Sequence, residues 1–198
     1  PALQSLDEKV ASLAWDGKDP LHALRRLAEA GLPIAKAGPS AKQTVAQPGK
    51  APSPQETQAL VDLFNAGQLI EAADLAHLMT LRFPQHHFGW MADGAALKQL
   101  GRSVDALSAM QTAVALLPND SNAHTNLGAV LQDLGRMDEA EASLRQALRI
   151  NPNNAQAYCN LGVTLQALGR LVDAEASLRR ALQLDPDNAL VHNNLGNA

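Results

Sequence analysis

Apolar positions recur along this chain at helical spacing, in short runs that Gly and Pro interrupt at regular distances. In 121–154, Ala123, Leu127, Val130, Leu131 and Leu134 share one helix face, and Gly135 stands just past it, where a left-handed C-cap is needed. A second helix is predicted to open near Asp138, an acceptable N-cap, and carries Ala140, Leu144, Ala147, Leu148 and Ile150 before Pro152 stops it. Helix, turn, helix and Pro stop make one helical hairpin. Gly128 lies inside the first of these helices, where Gly costs about 1 kcal/mol relative to Ala, and close approach of the paired helix is the expected reason for it.

The hairpin recurs. Asn126-Leu127-Gly128 returns as Asn160-Leu161-Gly162 and Asn194-Leu195-Gly196, a shift of 34 residues each time. Gly101, Gly135 and Gly169 keep the same period, as do Pro84, Pro118, Pro152 and Pro186. Between 121–154 and 155–188, 19 of 34 positions are identical, far more than an Ala- and Leu-rich composition gives by chance. The chain is thus predicted to carry units at 53–86, 87–120, 121–154 and 155–188, with a partial fifth at 189–198. That last piece restarts the pattern and stops within its first helix, which suggests a fragment of a longer protein and leaves Val191 and Leu195 with an unfinished packing environment.

Ahead of the array, Leu3, Leu6, Val10 and Leu13, then Leu21, Leu24 and Leu27, predict a small helical hairpin over 1–30 around Trp15. It would serve as a cap on the array or as a separate docking element. Residues 31–52, rich in Pro, Gly, Ser, Ala and Lys, have the composition of a linker.

Composition narrows the picture further. Ala and Leu fill about a third of the chain, a bias toward helix formers that excludes an all-β fold and supports an all-α one. Sixteen basic against 20 acidic side chains leave no polybasic footprint, so nucleic acid is not an expected partner. No apolar run is long enough to span a bilayer, so no membrane partner is expected and a cytoplasmic location is. The lone Cys159 offers neither an internal disulfide nor a cysteine-based zinc site.

The units resemble tetratricopeptide repeats. Unit 155–188 supplies Tyr158, Leu161, Gly162, Leu165, Gly169, Ala174, Leu178, Ala181 and Pro186 at the positions that family's pattern asks for. Unit 87–120 supplies Trp90, Gly94, Leu97, Gly101, Ala106, Met110, Ala113 and Pro118, but has Asp93 where Leu is expected. Unit 53–86 keeps Gly67, Ala72 and Pro84 and is otherwise degenerate, with Leu60 in place of the first Gly. The resemblance implies a right-handed α-α superhelix whose first helices line a concave surface for polypeptide partners. Implied groove residues are Asn122 and Gln156 at position 2 of the unit, Thr125 and Asn193 at position 5, Asn126, Asn160 and Asn194 at position 6, and Gln132 and Gln166 at position 12.

An amide offers donor and acceptor without charge, so a row of asparagines can bond the backbone of an extended peptide while largely ignoring its side chains. Asparagines at this position resemble the superhelical arm of O-linked N-acetylglucosamine transferases, where an Asn ladder holds substrate polypeptide. Here the ladder would begin in the third unit, since Ala92 and Gln58 hold the place in the second and first. The alternative is that these asparagines only bond a neighbouring loop or repeat. A two-carboxylate clamp of the chaperone-adaptor kind would need Lys or Arg where Asn122, Thr125, Gln156 and Cys159 stand, and is not expected.

Little else in the chain suggests chemistry. Six histidines, including adjacent His86 and His87, show no zinc-ligand spacing, and no metal or cofactor is expected. His124 and His192 take the aromatic slot at position 4, where packing explains them. No nucleophile elbow, phosphate loop or dinucleotide fingerprint is present, so this segment is not expected to be catalytic. Asp138, Glu139, Glu141 and Glu175, with Arg145 and Arg179, read as a solvated, ion-paired face. Phe88-Gly89-Trp90 and Leu134-Gly135-Arg136 resemble arrays that precede glycosyltransferase or sulfotransferase domains in bacterial-type proteins. The alternatives are a substrate-recruiting arm of such an enzyme, a stand-alone adaptor for complex assembly, or self-association through the fifth unit.

Overall fold

The computed structural model describes residues 51–196; the expected hairpin over 1–30 and most of the linker lie outside them. The described residues form four helical hairpins and a ninth helix. The pairs are α1 (Pro54–Asn65) with α2 (Leu69–Arg82), α3 (His87–Gln99) with α4 (Ser103–Leu116), α5 (Ser121–Asp133) with α6 (Met137–Ile150), and α7 (Ala155–Ala167) with α8 (Leu171–Leu184). The last helix, α9, spans Ala189–Gly196. No strand occurs among the described residues.

Side chains start the first helices and glycines end them. Ser53 and Glu56 form a reciprocal capping box on α1, with Pro54 behind the cap. Asp120, Asn154 and Asn188, one period apart, accept from Ala123, Ala157 and Val191 at the N-termini of α5, α7 and α9. At the other end, Gly135 adopts φ +71°, as the sequence suggested. Its N–H returns to Gln132 and that of Arg136 to Leu131, each at 2.9 Å, a Schellman closure of α5.

That tight reversal corrects the expected start of the second helix. α6 begins at Met137 with Arg136 as N-cap; its carbonyl accepts the first helical bond from Ala140 N at 3.0 Å, and its guanidinium, a donor only, makes no side-chain cap bond. Asp138 therefore lies inside the first turn rather than at the cap.

Within each hairpin the helices meet through small residues. Ala72, Ala106, Ala140 and Ala174 hold one repeat position and are fully buried. A Cβ placed on Gly128 would lie 2.7 Å from the Leu144 side chain, and one on Gly162 would lie 2.6 Å from Leu178, so the expected close approach is real. Each core is also shared between repeats. Val130 joins Leu97, Ala106 and Met110 of the hairpin before it, and Leu144 joins Leu161, Leu165 and Ala174 of the hairpin after it. Val191, expected to be left unfinished, is instead buried against Cys159, Leu178 and Ala181, with Leu195 half-buried beside them.

Each second helix packs on the first helix of the next hairpin, which makes the stack a solenoid. The first helices α3, α5, α7 and α9 also touch one another in sequence, whereas the second helices do not approach to a comparable degree. The stack is thus closer-spaced along its first helices, which puts them on the concave side.

Candidate functional site

The candidate site is the face of α5, α7 and α9 on that inner side. Asn126, Asn160 and Asn194 hold the same repeat position on consecutive touching helices, and all three are half-buried. Asn126 makes no side-chain hydrogen bond among the described residues. Asn160 accepts at Oδ1 from Gln156 Nε2 at 2.8 Å, which leaves its N–H groups available. Burial pushes the Cys159 thiol's pKa up, and the neighbouring Asn194 amide partly offsets it. Asn122 and Gln156 are exposed at the rim of the same face, and Asn193, which holds the repeat position of Thr125 and Cys159, is exposed on α9.

Two expected groove residues do something else. Gln132 donates through Nε2 to the Asn160 backbone carbonyl and to Thr164 Oγ1, both at 2.8 Å, and Gln166 donates to the Asn194 carbonyl at 2.9 Å. Each glutamine therefore clasps its own helix to the backbone of the asparagine one repeat on. One helix earlier, the equivalent Lys98 pairs with Asp133 at 3.2 Å. Thr125, also expected in the groove, is buried. Its hydroxyl donates to Ser121 O at 2.7 Å and accepts from Asn154 Nδ2 at 3.1 Å. The side chain at this position is covered because the following repeat closes over it; Cys159, at the same position one repeat later, is 1% exposed for the same reason.

Sequence reasoning missed Asn154. Its Oδ1 caps α7, while its Nδ2 bonds Ser121 and Thr125 of α5, so one amide joins two repeats. The 34-residue recurrence of Asp120, Asn154 and Asn188 was the available signal. The position 4 rings are structural: Trp90 donates to Pro84 O at 2.9 Å, and His124 and His192 bond Pro118 and Pro186 carbonyls at 3.0 and 2.8 Å.

Charge lies elsewhere. Glu141 bridges Arg145 at 2.7 Å and Arg170 at 2.6 Å, and Glu175 pairs with Arg179 at 2.6 Å, all from second helices or the turns leading into them. Asp93, in the Leu slot of α3, is buried 3.5 Å from His77, and burial outweighs that histidine to raise its pKa. His86 and His87 stack with ring centroids 4.8 Å apart. Among the described residues, no group of three or more His, Cys, Asp or Glu side chains is placed to hold a metal ion. None of the described helices is long and apolar enough to cross a membrane.

Residues 119–187 match the tetratricopeptide repeat family. The described helices have the fold of a tetratricopeptide-repeat solenoid. Solved structures share this fold. YrrB, described as a tetratricopeptide-repeat protein with an unusual peptide-binding site, is 22% identical with a TM-score of 0.64, over 97% of this chain and 86% of that one. MamA is 18% identical at TM-score 0.61, over 68% and 79%. The first tetratricopeptide-repeat domain of Spaghetti (RPAP3), bound to the HSP90 peptide SRMEEVD, is 23% identical at TM-score 0.55, over 57% and 90%. At these identities the tetratricopeptide-repeat array shares architecture with them. No curated protein sequence matches the chain.

Proposed function

We propose that the array is a protein-interaction scaffold that binds an extended polypeptide along the inner face of α5, α7 and α9, with Asn126, Asn160 and Asn194 as contacts to the ligand backbone. The observation that carries this is the difference between two kinds of amide on one face. Gln132 and Gln166 hold the repeats together through their side-chain N–H groups, while Asn126 has no side-chain partner among the described residues and Asn160 keeps its donors. Half-buried amides without internal partners suit a ligand that supplies them. The peptide seen on the related RPAP3 fold, and the peptide-binding site named for YrrB, support the general mode. A peptide array probed with the wild-type chain and with Asn126→Ala/Asn160→Ala tests it. Lost binding with an unchanged melting transition supports the groove; lost stability with retained binding assigns the asparagines to packing.

A finer reading is that the scaffold recruits polypeptide substrate for a larger transferase of the O-linked N-acetylglucosamine transferase or sulfotransferase kind. The Leu134-Gly135-Arg136 turn and Phe88-Gly89-Trp90 opening favour it over a stand-alone adaptor. The reading frame past Ala198 decides between them: a catalytic domain establishes the arm, and a capping helix followed by a stop removes it. Self-association through α9 is tested by light scattering, where a monomer at high concentration counts against it.

A further inference from the structure

The inner face differs from the rest of the solenoid in its charge. On α3, α5, α7 and α9 together, the carboxylates and ammonium groups are Asp93, which is buried, and Lys98 and Asp133, which pair with each other at 3.2 Å. Helices α7 and α9 carry none at all, whereas α6 alone holds Asp138, Glu139, Glu141, Arg145 and Arg149. A charged ligand side chain laid on α7 and α9 would lose hydration without meeting a counter-ion on those helices.

The face also changes character along its length. Phe88, Met91, Ala92 and Ala95 of α3 hold the repeat positions that Asn122, Thr125, Asn126 and Ala129 hold on α5. These four α3 side chains are half-buried and apolar. On the later helices, half-buried Ala129 and Val163 run beside the asparagines at position 9, so the surface there is small apolar groups bordered by amides. The inner face is thus an apolar patch on α3 followed by an uncharged amide lane, with Lys98 and Asp133 at their junction.

We propose, resting on the groove reading above, that the preferred ligand is an uncharged extended polypeptide segment with one large apolar side chain at the end that lies on α3. The apolar side chain supplies buried area, and the following residues, small and polar or apolar, bond through their backbone to the amides. With packed helices about 10 Å apart and an extended chain rising about 3.3 Å per residue, four first helices take a segment of about ten residues. An acidic peptide such as the one carried by the RPAP3 domain would meet on these helices one ammonium group, Lys98, already paired with Asp133.

The test is fluorescence anisotropy with labelled decapeptides of Ser, Thr, Ala and Asn: plain, with one Leu at either end, and the Leu versions with four interior positions changed to Glu or to Lys. The expected result is that one Leu-ended neutral peptide binds about tenfold tighter than the plain and charged ones. Its Kd should change less than about twofold between about 50 and about 500 mM NaCl, since no ion pair is there to be screened. Asn122 and Gln156 are exposed, so Asn122→Lys/Gln156→Lys leaves the fold intact and should move the preference to the Glu peptide. Tightest binding of a charged peptide by wild type, abolished by Asn160→Ala, overturns the neutral selectivity and leaves the groove standing. Equal binding of the plain and Leu-ended peptides overturns the anchor, and absence of binding by every peptide overturns the groove and this selectivity together.

Discussion

Gln132 donates its side-chain amide to the backbone carbonyl of Asn160, 28 residues away, at 2.8 Å. Its nitrogen also reaches Thr164 Oγ1, so one glutamine fixes the spacing of α5 and α7 at the centre of the inner face. The asparagine it holds by the backbone keeps its side-chain N–H groups available, and stability and binding fall on different amides of one surface.

Gln132→Ala should consequently lower stability by about 1–2 kcal/mol, the worth of hydrogen bonds lost at a partly buried site. Asn126→Ala, which removes no internal bond, should stay within about 0.5 kcal/mol of wild type. Urea unfolding of the two variants measures both, and equal losses would contradict this division of labour.

Gly128 and Leu144 form a matched pair. Gly128→Ala forces its new methyl group against Leu144, with the nearest side-chain atom 2.7 Å away, and should cost about 1–3 kcal/mol as overpacking. Leu144→Ala alone should cost about 2–5 kcal/mol, since the side chain is fully buried. The double variant should be more stable than the sum of the two losses implies. A double-mutant cycle by thermal or urea unfolding reads the coupling.

Gly135 faces a different constraint. Nothing lies within 4 Å of a Cβ added there, but φ is +71°. Gly135→Ala should therefore destabilise by about 1 kcal/mol through backbone conformation alone, and Gly135→Asn by less. A melting-temperature series across the two variants separates this effect from crowding at Gly128.

Asp93 weakens the fold at neutral pH. Burial raises its folded-state pKa above the unfolded value; His77 and Arg102 lower it in part, and Asp105 adds to the rise. The folded state therefore holds this proton more tightly, and Asp93 costs stability as pH rises from the unfolded carboxylate pKa through the raised folded one. Asp93→Leu, restoring the residue type found at Leu127 and Leu161, should raise stability at pH 7 by about 1–2 kcal/mol and remove that slope. Unfolding free energies measured at intervals between pH 4 and pH 7 check the sign; a loss on substitution would show that the His77 contact outweighs desolvation.

What could be read without coordinates was whatever repeats. The hairpins, the Gly135 reversal and the close approach at Gly128 follow from local conformational rules applied every 34 residues. The sequence did not show that Thr125 is buried, nor that Gln132 and Gln166 bond the next repeat, because a repeat position names a helix face but not what stands opposite it. Thr125 is covered where the next hairpin closes on it, and Asn154, at the far end of its own repeat, supplies the covering amide. The Asp138 cap failed for a local reason: the reversal at Gly135 starts α6 before the residue with the capping side chain is reached.

The sequence by itself determined the repeat unit, its two helices, and the small Ala and Gly residues at their contact, because these depend on neighbours within a few turns of the same chain. Tertiary structure decided which amides are spent and which remain available, since Gln132 and Asn126 look alike in composition and differ only in what stands opposite them. It also decided that Val191 finishes the core of the repeat before it. Burial is a property of the stacked array, and one repeat's pattern does not contain it.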